Sequence, residues 1–418
     1  MRRWLTQLRT ATRFVGFRAT LFTLGGMGIA VAAWGLSVLV PDAIGLDIGQ
    51  DSVSTILQIL ASSMLAVTTF SLSTMVSAYA GASSSGTPRS TQLLIMDRTS
   101  QNALSTFIGA FAYSIVGIIV LSSKVLSDAG IALLFIGTLA VIAAVLVGML
   151  RWISFLTTFG RMPDIIDRVE KAATKAMRTY AAAPRGGAEP WTPPASDARA
   201  IASSEDGYVL DVSISDLQMI AEWRDVKIWV VARPGASVSE GEPLVYALGD
   251  PDEELEKAVR DSFIVGAHRT FDSDPRLGLI ALSEVASKAL SPGINDPGTA
   301  IGSLRAIERV LRVAQTADAD ATVRYPRIRM QRISPEDFVT DGLRPTARDG
   351  ASMVEVAVRL QREITRLVES APDAEWELTL LREAAQALAR SEAAMSLDSD
   401  VEHVRAAHLQ AVRGRAGG

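Results

Sequence analysis

Asp51, Thr55, Gln58, Ser62, Ala66, Thr69, Ser73 and Ser77 recur at steps of four, three, four, four, three, four and four inside a run of Ile, Leu, Met, Val, Ala and Phe. That spacing marks one face of an α-helix. At 1.5 Å per residue the stripe is about 39 Å long, enough to cross a hydrocarbon core of roughly 30 Å. Hydroxyls, an amide and a carboxylate along such a line can hold water or a cation inside a bilayer. The same residue types also let transmembrane helices approach and hydrogen-bond to one another. Both readings stay open, although a packing seam does not require eight positions ending in a carboxylate.

A second constellation lies in ALSPGINDPGTAI. Asp296 before Pro297 is a good helix N-cap followed by a good first helical residue, and Ser291, Gly293 and Asn295 supply turn chemistry ahead of it. Free N–H groups at a helix start can hold an anion, with Arg269 or Arg276 completing the site; capping alone also accounts for these residue types. The segment lacks the lysine and glycine spacing of a phosphate-binding loop. Enzyme chemistry has little support. The three histidines are His268, His403 and His408, the last two are five residues apart where ligands to one metal are usually three or four apart, and no nucleophile accompanies His268. The chain has no cysteine, which excludes thiolate metal sites and thiol redox chemistry. No cofactor and no metal are expected.

The elements that position these groups divide the chain in two. Through residue 158 there are nine Lys plus Arg and five Asp plus Glu, whereas 159–418 holds 32 and 41. An acidic C-terminal part with mostly dispersed bases argues against a nucleic-acid surface. Residues 1–19 carry five arginines among Trp4, Leu5, Leu8, Phe14 and Val15, a basic amphipathic start suited to an anionic leaflet. Four apolar spans are predicted within 20–158: 20–41, the striped segment after Asp51, 103–123 and 130–157. The loop from Pro41 to Asp51 is acidic, whereas Arg89, Arg98, Arg151 and Arg161 flank the other ends. The positive-inside rule then puts both termini in the cytoplasm and Asp51 at the outer end of the stripe. Between spans, Pro88 breaks a helix, and Ser90 or Thr91 is placed to cap a short helix along the inner membrane face.

Beyond the spans, 162–180 reads as a further helix and 181–198 as a Pro/Gly-rich linker. Residues 199–249 change to short β-type runs and form a small β-module. VVARPGASVSEGEPLVYAL looks like half of a barrel-sandwich module of the biotinyl and lipoyl type, but its usual carrier lysine is absent and Lys227 sits in a strand-like run. From 250 to 418 the pattern is mostly helical, over 251–268, 274–290, 297–316, 350–370, 373–394 and 398–412. RYPRIRMQRIS reads as an edge strand whose Arg324, Arg327, Arg329 and Arg332 face solvent, a membrane surface or an acidic partner. The fold class is therefore mostly α: a four-helix transmembrane bundle followed by a cytosolic α+β region with a small β-module and a helical bundle.

TTFSLSTMVSAYAGASSSGTPR, then MDRTSQNALSTFIGAFAY, and later RTFDSDPRLGLIALSEVASKALSPGINDPGTAI resemble the bacterial membrane-protein family catalogued as domain-of-unknown-function family 2254. The likeness rests on Pro88 and Arg89, Arg269 to Phe271, Asp274 to Arg276, and Ser291 to Pro297. It implies an inner-membrane protein with a multi-span N-terminal part and a cytosolic C-terminal part, and it implies no activity. Two functions of different class remain. In one, copies assemble as a homo-oligomer whose second helices line a pore through Asp51, Thr55, Gln58, Ser62, Thr69, Ser73 and Ser77, with the cytosolic part regulating it. In the other, the bundle anchors a cytosolic module that recruits a protein partner or senses a small ligand.

Overall fold

The computed structural model describes residues 49–413 except 96–97, 124–125, 250 and 319–321, together with a few positions between 20 and 31. The basic N-terminus and most of the expected first span lie outside the described residues. The chain divides into two compact units, Met1–Asp164 and Ile165–Gly418.

The first unit contains α1 (Gln50–Ser85), α2 (Pro88–Ile95), α3 (Arg98–Ser122) and α4 (Asp128–Thr158). Three helices, Gln50–Ala82, Thr99–Ser122 and Asp128–Thr158, are long and apolar enough to cross a membrane. Val53, Leu57, Tyr113, Leu121 and Leu134 form a shared apolar cluster from α1, α3 and α4. The buried Tyr113 hydroxyl lies 3.0 Å from both the Leu134 carbonyl and Thr138 Oγ1, so its polar tip is satisfied between two apolar helices. Tyr79, Trp152, Phe155 and Phe159 pack ring against ring with centroids 4.6–5.5 Å apart, Trp152 stacked on Phe155 and Tyr79 edge-on to Phe159, at the Arg151 and Arg161 end, where a membrane interface favours aromatic rings. The expected cap of α2 is revised: Pro88 is its first residue. Thr87 and Ser90 bond reciprocally, with the Thr87 N–H donating to Ser90 Oγ at 2.9 Å and the Ser90 N–H to Thr87 Oγ1 at 3.4 Å.

In the second unit, α5 (Met162–Ala182) begins the chain's polar part. A five-stranded sheet follows, built from β1 (Ala188–Pro190), β2 (Arg199–Ala202), β4 (Lys227–Val230), β6 (Pro243–Leu248) and β8 (Tyr325–Met330) in the order β1-β8-β4-β6-β2. β3 (Gly207–Val212), β5 (Ser237–Val238) and β7 (Phe263–Gly266) make a second, antiparallel sheet in the order β5-β3-β7. The sheet thus draws on segments outside 199–249, and Ala188–Pro190 of the expected linker is one of its strands.

RYPRIRM is not an edge strand. β8 lies between β1 and β4 and is parallel to both. Its alternation explains why: Ile328 and Met330 join Ile228, Val230, Val245 and Ile201 in one apolar cluster, while Arg327 and Arg329 take the opposite face. The arginine cluster is dispersed accordingly. Arg327 pairs with Asp225 at 2.7 Å, Arg329 donates to the Pro190 carbonyl at 3.3 Å, and Arg332 pairs with Glu375.

Helices α6 (Ile214–Trp223) and α7 (Glu253–Asp261) cover the same apolar cluster through Leu217, Ala221, Leu255 and Val259. Instead of one helix over 251–268, α7 stops at Asp261 and Phe263–Gly266 becomes β7, because Phe263 and Val265 are needed in that cluster. The remaining helices are α8 (Leu277–Ala289), α9 (Pro297–Ala314), α10 (Pro335–Gly342), α11 (Arg344–Asp349), α12 (Val354–Glu369), α13 (Ala374–Ala394) and α14 (Asp398–Arg413). Buried Glu383 of α13 is held by Arg344 at 3.0 Å, and buried Glu363 of α12 by Arg366 at 2.8 Å.

In this bundle His408 Nδ1 lies 3.2 Å from Gln361 Oε1, and buried Gln361 donates to the Ala384 carbonyl at 2.9 Å. Burial pushes the His408 pKa below its ordinary value of 6.5. The unfolded chain therefore binds the proton more readily, so this group's contribution to stability is present above about pH 6.5 and is lost as pH falls below it. Thermal unfolding at pH 7.5 and 5.5 should show a drop that is smaller in His408→Gln; an equal drop in both would remove His408 from the pH response.

Candidate functional site

All eight positions of the α1 stripe are exposed. The buried residues of α1, among them Val53, Leu57, Leu60, Met64, Ser71 and Met75, fall on the opposite side of the helix by their spacing. Packing within the described unit therefore uses the other face. Three of the five hydroxyls of the stripe donate within the helix: Thr55 Oγ1 to the Asp51 carbonyl at 2.8 Å, Ser62 to the Gln58 carbonyl at 3.0 Å and Thr69 to the Leu65 carbonyl at 2.9 Å. Such back-bonding meets the cost of a hydroxyl donor in hydrocarbon while leaving the oxygen lone pairs directed outward. Exposed Ile59, Leu65, Phe70, Leu72 and Val76 border the stripe with apolar surface.

The SPGINDP turn folds as a cap. Asp296 accepts from the Thr299 N–H at 3.0 Å and from Thr299 Oγ1 at 2.6 Å, and these bonds lower its pKa, the side-chain bond most. Asn295 takes a left-handed backbone at φ 50° and donates its N–H to the Ser291 carbonyl at 2.9 Å, while Ser291 Oγ donates to Lys288 at 2.7 Å. Arg269 and Arg276 are not brought to this turn by any hydrogen bond or ion pair among the described residues. Arg276 holds Asp341 through Nε at 2.6 Å and Nη2 at 3.1 Å, and its hydrogen bond to Asp341 raises its pKa.

Arg269 instead meets Asp274, with Nε donating at 2.6 Å to a carboxylate that is 3% exposed. The same carboxylate accepts from the backbone N–H groups of Arg276 and Leu277 at 3.0 and 3.2 Å, capping the start of α8. It lies so close to Gly235 that a Cβ there would stand 2.5 Å from Asp274 Oδ2, and Gly235 has φ 91°. Only glycine accepts both constraints. The DPR segment thus locks the turn after β4 to the start of α8.

Beside that lock is a cavity of about 310 Å³, which sequence reading did not find. Its walls come from α5 (Ala176, Thr179, Tyr180), the chain before β1, the β3–α6 junction (Val212, Ile214), the Arg233–Pro234 turn, Ser273 and Pro275 of the DPR segment, and the ends of β8. Tyr180 fixes one side: its hydroxyl accepts from the Ile333 N–H at 3.0 Å, and its ring meets Phe338 edge-on at 5.5 Å. Burial raises the Tyr180 pKa against the opposing effect of that backbone bond and of nearby arginines, so it is a neutral wall. Among the described residues no group of three or more His, Asp or Glu is arranged to hold a metal ion.

Three membrane-length apolar helices followed by a polar α+β unit define a membrane protein. The chain belongs to the family described as predicted membrane protein (DUF2254), whose model matches residues 13–366. It is similar to the uncharacterized protein Rv1290c of Mycobacterium tuberculosis and to the uncharacterized protein Mb1321c of Mycobacterium bovis, each 26% identical over 243 residues, 55% of this chain and 47% of the relative. The chain therefore spans about half the length of the curated relatives it matches. No solved structure matches.

Proposed function

We propose that the protein is a homo-oligomeric, channel-like protein of the bacterial inner membrane, with both termini cytoplasmic and the C-terminal unit in a regulatory role. The exposure of the whole α1 stripe on the side opposite the packing face carries this reading. A row of exposed polar side chains whose hydrogen bonds stay within α1, bordered by apolar residues, suits a face turned toward an axis shared with other copies. Asp51 at the outer end then forms an acidic ring that favours cations. No enzyme activity, cofactor or nucleic-acid partner belongs to this reading.

Liposomes containing purified protein should pass cations, and Ser73→Trp should abolish that flux while leaving elution volume and helicity unchanged. Wild-type and variant flux that are equal, or no flux across a range of voltage, tension and salt, would overturn it. The cavity of the second unit favours a second reading, a membrane-anchored ligand-sensing module without transport. Under that reading Thr69→Val and Ser73→Ala leave the cellular phenotype intact, whereas changes at the cavity remove it.

A further inference from the structure

We propose that the cavity bordered by Tyr180, Arg233 and Arg324 binds a small amphipathic anion, a carboxylate or phosphate head carried on a short apolar body. Arg233 is the first observation. It is half-buried, and its guanidinium makes one long hydrogen bond, Nη1 to the Gln331 carbonyl at 3.3 Å, with no ion pair among the described residues. The half-buried arginines around it are served differently: Arg269 has Asp274, Arg276 has Asp341, Arg332 has Glu375 and Arg344 has Glu383. The carboxylate that attracts Arg233 from a distance, Asp337, also pairs with Arg276 at 3.4 Å and bonds the Ser334 hydroxyl. Burial accordingly disfavours the charge on Arg233. A half-buried cation without a close counter-charge gains most from an incoming anion.

Arg324 is the second. Its side chain lines the same cavity from the exposed rim and makes no hydrogen bond or ion pair among the described residues. The lining holds two arginines and one carboxylate, Asp211, which is exposed and screened by water, so the cavity keeps a positive balance. Asp211, Thr179 and Ser273 offer hydrogen-bond partners to a hydroxyl on the ligand. Apolar surface from Val212, Ile214, Met330 and Ile333 completes the lining. At about 30 Å³ per water-sized group, the volume suits a molecule on the order of ten non-hydrogen atoms. The site is assembled by the Asp274–Gly235 lock, which sets both the Arg233 turn and Ser273.

The assignment goes beyond the channel reading, and binding is measured without flux, so either can fail alone. Full-length protein in detergent is titrated by calorimetry and by thermal unfolding with octanoate, with inorganic phosphate and with octanol. Octanoate should bind and raise the unfolding temperature, phosphate should bind at least tenfold more weakly, and octanol should not bind at this site. Arg233→Gln should weaken octanoate at least tenfold and Arg324→Gln severalfold. Thr179→Trp, on the exposed side of α5, should block the mouth and remove binding even if Arg233→Gln does not fold, while Arg348→Gln, paired with Asp349 elsewhere, should change nothing. Equal binding of octanoate and octanol, octanoate affinity unchanged in Arg233→Gln or Thr179→Trp, or phosphate binding as tightly as octanoate would each overturn the assignment.

Discussion

Asp274→Ala is expected to cost about 4–6 kcal/mol and to lower the unfolding temperature of the C-terminal unit by roughly 10–20 °C. Removing one partner of a buried ion pair typically costs about 3–5 kcal/mol, and losing a helix cap adds about 1. Each one-kcal loss lowers the midpoint by about 2–4 °C in a unit of this size. All of these roles fall on one side chain: the Arg269 partner at 2.6 Å, the N–H groups of Arg276 and Leu277, and the packing surface for Gly235. Asp274→Asn keeps the shape and one acceptor but loses the charge opposite Arg269, so it should fall between wild type and Asp274→Ala. Thermal unfolding of the purified full-length protein followed by circular dichroism checks the order. An alanine variant within about 2 °C of wild type would show that the lock contributes little. Because the lock also positions Arg233, Asp274→Asn should weaken octanoate binding by more than its stability loss alone suggests.

Much of this arrangement is local, and local features are what a sequence exposes. The three- and four-residue spacing of the stripe reads directly as a helix face, and Asp296 before Pro297 reads directly as a cap, which forms with Thr299. The side of α1 that packs is less legible, because nothing in their types alone says that Met75 will be buried and Ser73 left exposed. Sheet order is less legible still. β8 carries arginine at alternate positions and so resembles a solvent-facing edge, whereas a strand with a parallel partner on each side usually reads as a continuous apolar run; here Ile328 and Met330 join the apolar cluster while Arg327 and Arg329 find partners in Asp225 and the Pro190 carbonyl. The helix Ile214–Trp223 hides among β-type runs, although Ser213 accepting from the Asp216 N–H is a recognisable start. The cavity needs residues from α5, Arg233, Ser273 and Arg324, which no window of sequence contains. One hint is present: Arg233 follows the apolar run from Ile228 to Ala232 and precedes a Pro-Gly turn, so it ends a buried strand with no acidic residue beside it.

Gly278→Ala tests the tightest glycine contact among the described residues. An added Cβ at Gly278 of α8 would lie 2.2 Å from the Cβ of Ala173 on α5 and 2.7 Å from its Cα, whereas carbon atoms are comfortable at about 3.5–4.0 Å. Alanine is worth about 1 kcal/mol over glycine in a helix interior, but Gly278 is the second residue of α8, so propensity favours the substitution by less than that. Overpacking by more than an ångström against another helix costs about 1–3 kcal/mol and occasionally more, and neither Ala173 nor Gly278 can rotate out of the way. The clash should win, leaving Gly278→Ala destabilised by about 2 kcal/mol. Ala173→Gly alone should also destabilise, by about 1–2 kcal/mol, through lost helix propensity and one buried methyl group. Combined, the two should restore part of the loss, because the new methyl at 278 occupies the space vacated at 173; the residual approach to the Ala173 Cα keeps the rescue incomplete. Denaturant unfolding of the four proteins gives the coupling as a double-mutant cycle, expected near 1.5 kcal/mol in favour of the pair. Additive losses would mean that α5 and α8 separate to relieve the overlap, and the cavity walls that α5 supplies through Thr179 and Tyr180 would then be expected to move with it.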